Sequence, residues 1–299
     1  MRIGFIGIGQ MGKLMSGRIL NAGYELMVHD LVRESASFLL EKGAEWAESP
    51  KSVAESCQVV ISSLPAPKDV EQIVYGENGL KSGWKSGDIY IDMSTNSPST
   101  IRQIAREAAS SGVAVLDAPV SGGTRGAELG TLAIMVGGRP ADLERVRDVL
   151  EVMGKNIFHV GDVGSGNVIK LINNMIALAC GAITAEGFVL GVKAGIDPQV
   201  LYDIVKVSTG SSWAMQQYPQ TVFKGNFAPM YRLSLACKDI GLALGLGKEY
   251  DVPLSLGAAV EQKFIEARAA GFSEQGVDAV IQRLEELTGV KVRSPQTEN

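Results

Sequence analysis

Arg2-Ile3-Gly4-Phe5-Ile6-Gly7-Ile8-Gly9-Gln10-Met11-Gly12 is the stretch that decides the fold. A short apolar run passes into a GxGxxG, and a helical pattern starts inside that motif. In such a loop the first glycine permits a tight turn and the second lets backbone approach a pyrophosphate. The third lets the helix pack on the strand. A phosphate then sits at the helix N-terminus, where unpaired N–H groups and the helix dipole favour an anion. Gly7, Gly9, Gln10, Met11 and Gly12 are therefore candidate cofactor-binding residues. A second apolar run at 26–29 ends at Asp30, 18 residues beyond Gly12. A carboxylate near that offset accepts ribose hydroxyls and repels a 2′-phosphate, so NAD is expected over NADP. Arg33 stands close enough to soften that preference.

Working outward, further strand-like runs fall at 59–62, 89–92, 113–116, 133–136 and 157–160. Amphipathic stretches separate several of them, with helix starts such as Ser49-Pro50 and Ser97-Pro98, where Ser can cap and Pro can take the first helical position. Alternation of this kind predicts an α/β fold, a doubly wound Rossmann-type parallel sheet over residues 1–162. After Gly161-Asp162-Val163-Gly164 no alternating strand is evident. Helical patterns run from about Asn167, across 198–207, over 238–250 and beyond Pro253. They predict an all-helical domain at 163–293, opened by a long interdomain helix, with a flexible polar tail at 294–299.

Leu64-Pro65 and Thr95 each follow a predicted strand, at the edge where doubly wound sheets bind ligands. Ser121-Gly122-Gly123 follows another, and its exposed N–H groups suit a carboxylate. Turn chemistry alone would also explain each of these.

Lys170 and Asn174 share one face of the long helix at spacing i, i+4. Between Met175 and Val192 the only charged residue is Glu186, so this helix is expected to be buried on most sides. A lysine in such surroundings bears a desolvation cost that weakens its ammonium form. The alternative is a lysine near the helix start that snorkels to water.

Taken together, the chain resembles the β-hydroxyacid dehydrogenases, the family that contains the 3-hydroxyisobutyrate dehydrogenases. The resemblance rests on Gly7–Gly12, Leu64-Pro65, Thr95, 117–126 with Gly130-Thr131-Leu132, 164–174 and Lys238-Asp239, in order over nearly the whole chain. It implies that Lys170 is the catalytic acid–base and that Asn174 holds substrate. Ser121, Gly122 and Gly123 would bind its carboxylate, and Lys238 would reach cofactor or substrate from the helical domain. It also implies an interdomain cleft and a homodimer or homotetramer. Asp69 departs from the Asn common soon after Leu-Pro in 3-hydroxyisobutyrate dehydrogenases, so no cofactor contact is carried over there. In its second half the chain is similar to the branch that acts on 2-(hydroxymethyl)glutarate, a dicarboxylate.

The expected substrate is a short β-hydroxy monocarboxylate or its aldehyde, with a dicarboxylate second. Trp213 and Met215 would furnish an apolar pocket wall, and Arg125 is the candidate cation for a second carboxylate. Two other readings compete: an imine reductase, disfavoured by the retained Lys170, and a non-catalytic dinucleotide-binding module.

Bulk properties narrow the field. A net charge of −5 and no long Lys/Arg run speak against nucleic acid. Three scattered cysteines and two histidines make zinc or a disulfide framework improbable and suit reduced thiols in the cytoplasm. The first strand starts at once, leaving no room for a signal peptide, and polar residues punctuate the long helix, against a membrane span.

Overall fold

The computed structural model describes residues 1–294, so the expected flexible tail lies, but for Ser294, outside the described residues. The chain folds as two compact units that divide at Lys170 and Leu171.

In the first unit, strands alternate with helices as the apolar periodicity predicts. The strands are β1 (Arg2–Ile6), β2 (Glu25–His29), β3 (Glu45–Trp46), β4 (Val59–Ser62), β5 (Ile89–Asp92), β6 (Ala114–Asp117), β7 (Val120–Ser121), β8 (Ala133–Gly137) and β9 (Asn156–Gly161). Their order is β3-β2-β1-β4-β5-β6-β8-β7, with β9 beside β8. From β3 to β6 every pairing is parallel. Beyond β6 the sheet departs from the expected pattern, since β8 runs antiparallel to β6 and β7. The chain turns back through Gly122, at φ +130, and the short helix Gly123–Leu129 without a crossover, so β8 must descend.

Alternation along β1 sends Ile3 and Phe5 into one core and Ile6 into the other. The register sets Ser62 beside Asp92 and Asp92 beside Asp117, all three fully buried at the C-terminal ends of β4, β5 and β6. Ser49 caps helix Pro50–Ser56 by accepting from Ser52 N–H, whereas Ser97 makes no such cap on helix Pro98–Ala109.

In the second unit helices carry the fold, and no strand is named among the described residues. The long helix Ser165–Lys193 crosses from the first unit into the second. Leu178, Ala185 and Phe188 on its inner side pack with Tyr218, Phe223, Ile240 and Phe264. Helices Pro198–Val205, Leu233–Glu249, Ser255–Ala267 and Val280–Thr288 complete the unit.

The expectation that the long helix is buried on most sides is corrected. Ile172, Ile176, Ile183 and Leu190 are exposed on it. The apolar composition therefore belongs to two faces, one packed in the core of the unit and one open in a single chain. By length and composition this helix could span a bilayer. Its inner face packs like that of a core helix.

The glycine loop is sterically graded. A Cβ on Gly12 would meet the Gly7 carbonyl oxygen at 1.8 Å, whereas a Cβ on Gly9 would meet nothing within 4 Å. Gly12→Ala should therefore lower unfolding free energy in urea by roughly 1–3 kcal/mol, the usual cost of overpacking. Gly9→Ala should stay within about 1 kcal/mol of wild type yet weaken dinucleotide binding, followed by protein fluorescence. Equal destabilisation by both would contradict this grading.

Candidate active site

The loop after β1 is shaped to receive a phosphate. Gly7 adopts φ +92 and donates its N–H to the His29 carbonyl at 3.0 Å, which ties the loop to β2. Helix Gln10–Asn21 starts at Gly9 with no side-chain cap and no acidic residue in its first turn. Its N-terminus therefore suits an anion. Asp30, just past β2, accepts the Ile8 N–H at 2.6 Å and the Val32 N–H at 2.9 Å. Its carboxylate thus braces the loop from the side where a ribose would lie. Arg33 stacks over the Trp46 ring at 5.3 Å and stands 3.5 Å from Glu48. A dinucleotide fits this end of the sheet: there is open space at Gly9, an uncapped helix start, and a carboxylate at the end of the second strand.

Leu64 and Thr95 stand at the C-terminal ends of β4 and β5, with Pro65 next to Leu64, as expected. Leu64 N–H donates to Ser94 Oγ at 2.9 Å, which links the two loops. Ser121 ends β7, while Gly122 and Gly123 take φ of +130 and +62 and are exposed. Only glycine adopts these angles without strain, so the loop shape depends on both.

Beneath these loops lies a buried polar network that the sequence did not announce. Asp92 accepts from Ser62 Oγ, Ser94 N–H and Asn96 Nδ2 at 2.9, 3.1 and 2.9 Å. Asp117 accepts the backbone N–H groups of Gly164 and Asn167, each at 2.7 Å, and Asn167 Nδ2 at 3.2 Å. Asn167 Oδ1 in turn accepts the Asn96 N–H at 2.7 Å. Burial, opposed by the Gly164 and Asn167 hydrogen bonds, pushes the Asp117 carboxyl up to about 6; the neighbouring Asp92 adds a smaller push in the same direction. Burial likewise raises Asp92.

Lys170 and Asn174, one turn apart on the long helix, are 9% and 8% exposed. Lys170 is therefore not a snorkelling surface lysine. In the second unit, Asn174 Nδ2 donates to Asp239 Oδ2 at 2.7 Å, and the Tyr231 hydroxyl donates to the same oxygen at 2.6 Å. Lys238 Nζ lies 3.0 Å from Asp239 Oδ1. Asp239 is thus a hub that orients Asn174 and pairs with Lys238, a role not assigned from sequence. The available signal was a Lys-Asp pair inside the apolar run of helix Leu233–Glu249, whose other charges, Lys248 and Glu249, stand at its end. Burial also holds the Tyr231 hydroxyl far above its ordinary pKa, with the Asp239 charge adding to the effect, so Tyr231 stays a donor.

The expected pocket wall is corrected in part. Met215 packs in the core of the second unit, because the Ser212 cap turns its side of helix Trp213–Gln216 inward. Trp213 is exposed. Arg125 is exposed on helix Gly123–Leu129.

Residues 2–161 match the family described as the NAD binding domain of 6-phosphogluconate dehydrogenase. Residues 164–284 match the family described as NAD-binding of NADP-dependent 3-hydroxyisobutyrate dehydrogenase. The chain is 41% identical to 2-(hydroxymethyl)glutarate dehydrogenase of Eubacterium barkeri, over 99% of each protein. It is also 41% identical to 3-hydroxyisobutyrate dehydrogenase of Pseudomonas aeruginosa, over 94% of this chain and 97% of that one. Among solved structures, 3-hydroxyisobutyrate dehydrogenase of Mycobacterium tuberculosis, determined with L-serine, superposes with a TM-score of 0.86 at 33% identity, covering 95% of this chain and 98% of that chain. With the phosphate loop, the strand-end loops and the buried lysine in place, the chain belongs to the β-hydroxyacid dehydrogenase family and is an NAD(P)-dependent oxidoreductase acting on CH–OH groups.

Proposed function

We propose that this enzyme interconverts a small β-hydroxy carboxylate and its aldehyde with NAD, and that Lys170 is its general acid–base. The observation that carries this reading is Lys170 itself, a buried lysine one turn before a buried asparagine that Asp239 orients. When bound, the nicotinamide supplies or accepts the hydride. The chain's own residues manage the proton and the charge. As an ammonium, Lys170 stabilises the developing alkoxide and protonates it; as an amine, it takes the hydroxyl proton in the opposite direction. Asn174 spends one amide N–H on Asp239 and its Oδ1 accepts from Asn173 Nδ2 at 3.1 Å, so its second amide N–H orients substrate. Ser121, Gly122 and Gly123 offer donors to the carboxylate, and Lys238, held by Asp239, adds positive charge. The glycine loop, Asp30, Leu64, Pro65 and Thr95 hold the dinucleotide. Residues 1–162 would carry the cofactor and 163–293 the substrate.

A short monocarboxylate of the 3-hydroxyisobutyrate or tartronate semialdehyde kind remains the favoured substrate. The second reading, a dicarboxylate of the 2-(hydroxymethyl)glutarate kind, is favoured by the match to the Eubacterium barkeri enzyme and by exposed Arg125 two residues past the carboxylate loop. A homodimer or homotetramer is supported by the open apolar face of the long helix. Unpaired Cys57, Cys180 and Cys237 suit the cytoplasm.

Nicotinamide absorbance, followed with a panel of β-hydroxy acids, tests the activity. Lys170→Ala should lower turnover by about two to four orders of magnitude and leave NAD affinity unchanged. Near-normal turnover would shift the role to Lys238.

For the cofactor, wild type should show a higher kcat/KM with NAD than with NADP. Asp30→Ala should narrow the gap and also lower kcat/KM for NAD, because the Ile8 N–H loses its acceptor. A wild-type preference for NADP would mean that Arg33 overrides the carboxylate.

Matched mono- and dicarboxylates compared in wild type and Arg125→Ala separate the two substrate readings. The favoured one expects monocarboxylates to be faster and Arg125→Ala to change little. A dicarboxylate preference that vanishes in the variant would decide for the second.

A further inference from the structure

Three segments of the first unit with separate expected duties meet at one buried side chain, Asn167. The loop carrying Thr95 reaches it through the Asn96 N–H, which donates to Asn167 Oδ1 at 2.7 Å. The strand leading to Ser121 reaches it through Asp117, whose Oδ2 accepts both Asn167 N–H and Nδ2. The third segment is the long helix itself, in whose first turn Asn167 sits, three residues before Lys170. Asn167 is fully buried.

The chemistry admits few substitutes. The Asn96 N–H can only donate, and Asp117 accepts the amide N–H, so the residue between them must offer an acceptor and a donor from one short side chain. Aspartate would bring another carboxylate beside Asp92 and Asp117, and leucine would leave buried polar groups unpaired. Close packing removes slack in the same place. A Cβ on Gly166 would lie 2.3 Å from the Met135 carbonyl oxygen, and one on Gly137 would lie 2.3 Å from Asp117 Oδ1.

We propose that Asn167 is a positioning residue for the reaction: joined to Asp117 and Asn96, it fixes the azimuth and depth of the first turns of the long helix, and so where Lys170 stands relative to the cofactor loops. The proposal rests on Lys170 being the acid–base. Asn167 touches no reacting atom; it acts through the lysine. A displacement of the order of 1 Å in such a group costs as much as about 100-fold in rate.

A double-mutant cycle on the full-length enzyme tests it, with Asn167→Ala, Lys170→Ala and the pair. Each is read as kcat, as the isotope effect with deuterated β-hydroxy acid, and as NAD affinity by fluorescence. Asn167→Ala should lower kcat by about 10- to 100-fold, raise the isotope effect and leave NAD affinity unchanged. In the Lys170→Ala background the same change should alter kcat by no more than about twofold. If Lys170→Ala keeps full turnover, the acid–base assignment fails and this proposal with it. If Lys170→Ala is slow but Asn167→Ala slows both backgrounds equally, or lowers NAD affinity in step, only the positioning role is overturned. Should Asn167→Ala not fold, Asn167→Ser, which keeps a hydroxyl, goes through the same cycle; failure of both to fold would make Asn167 purely structural and overturn the proposal.

Discussion

The structure depends on one buried anion, the carboxylate of Asp117 at the end of β6. Taking a carboxylate fully out of water costs several kcal/mol even after relaxation. Three charge-assisted hydrogen bonds, from Gly164, Asn167 N–H and Asn167 Nδ2, offset this at roughly 1.5–3 kcal/mol each. The offset is incomplete, because burial outweighs the bonds and lifts the carboxyl from 3.8 to about 6. That rise corresponds to about 3 kcal/mol against the charged form. Its sign is set by linkage. A folded-state pKa above the unfolded one makes the cost absent below about 3.8 and complete above about 6. At neutral pH the fold therefore retains a charge that burial disfavours. In return, the free N–H groups that open the long helix meet a full negative charge from another element.

The rest of the first unit serves the same edge. Parallel strands deliver their C-terminal ends side by side, and their terminal residues are polar: Asp30 after β2, Ser62 on β4, Asp92 on β5 and Asp117 on β6. Yet these carboxylates face different solvents. Asp30 is partly exposed, makes two backbone hydrogen bonds and keeps acceptor capacity for a ribose. Asp92 and Asp117 are fully buried and spend their oxygens on protein donors. Two carboxylates in register on neighbouring strands would repel strongly if neither had donors. Asn96 and Asn167 supply those donors and join the two sites.

Much of this was legible in sequence because its signals are local. The glycine loop, the apolar runs and the Lys170–Asn174 spacing each lie within one or two turns or one strand. What escaped reading is non-local or very short. Strands β3 and β7 are two residues each and carry no period. The reversal at β8 depends on where Gly122 and Gly123 send the chain. Asp239 reaches Asn174 across 65 positions, and Asn167 reaches Asp117 across 50 and Asn96 across 71. No periodicity reports such pairings. The exposed side of the long helix was misread for a related reason. Apolar composition says that a face avoids water, and it is silent on whether the same chain covers it.

The two hubs hold consecutive parts of one helix. Asn167 is fastened within the first unit by Asp117, and Asn174 within the second by Asp239. Lys170 lies three residues after the one and four before the other. An α-helix places i, i+3 and i+7 along one stripe, so the fastened residues and the lysine share a face. The backbone that carries Lys170 is thus held by a hydrogen-bonded residue on either side of it. In the first unit the fastening group is an anion bound to backbone N–H, which sets where the helix begins. In the second it is an anion bound to a side-chain amide, which sets how Asn174 faces. The same chemistry, a buried aspartate accepting hydrogen bonds, thus controls position at one end and orientation at the other, with Lys170 between them on the helix.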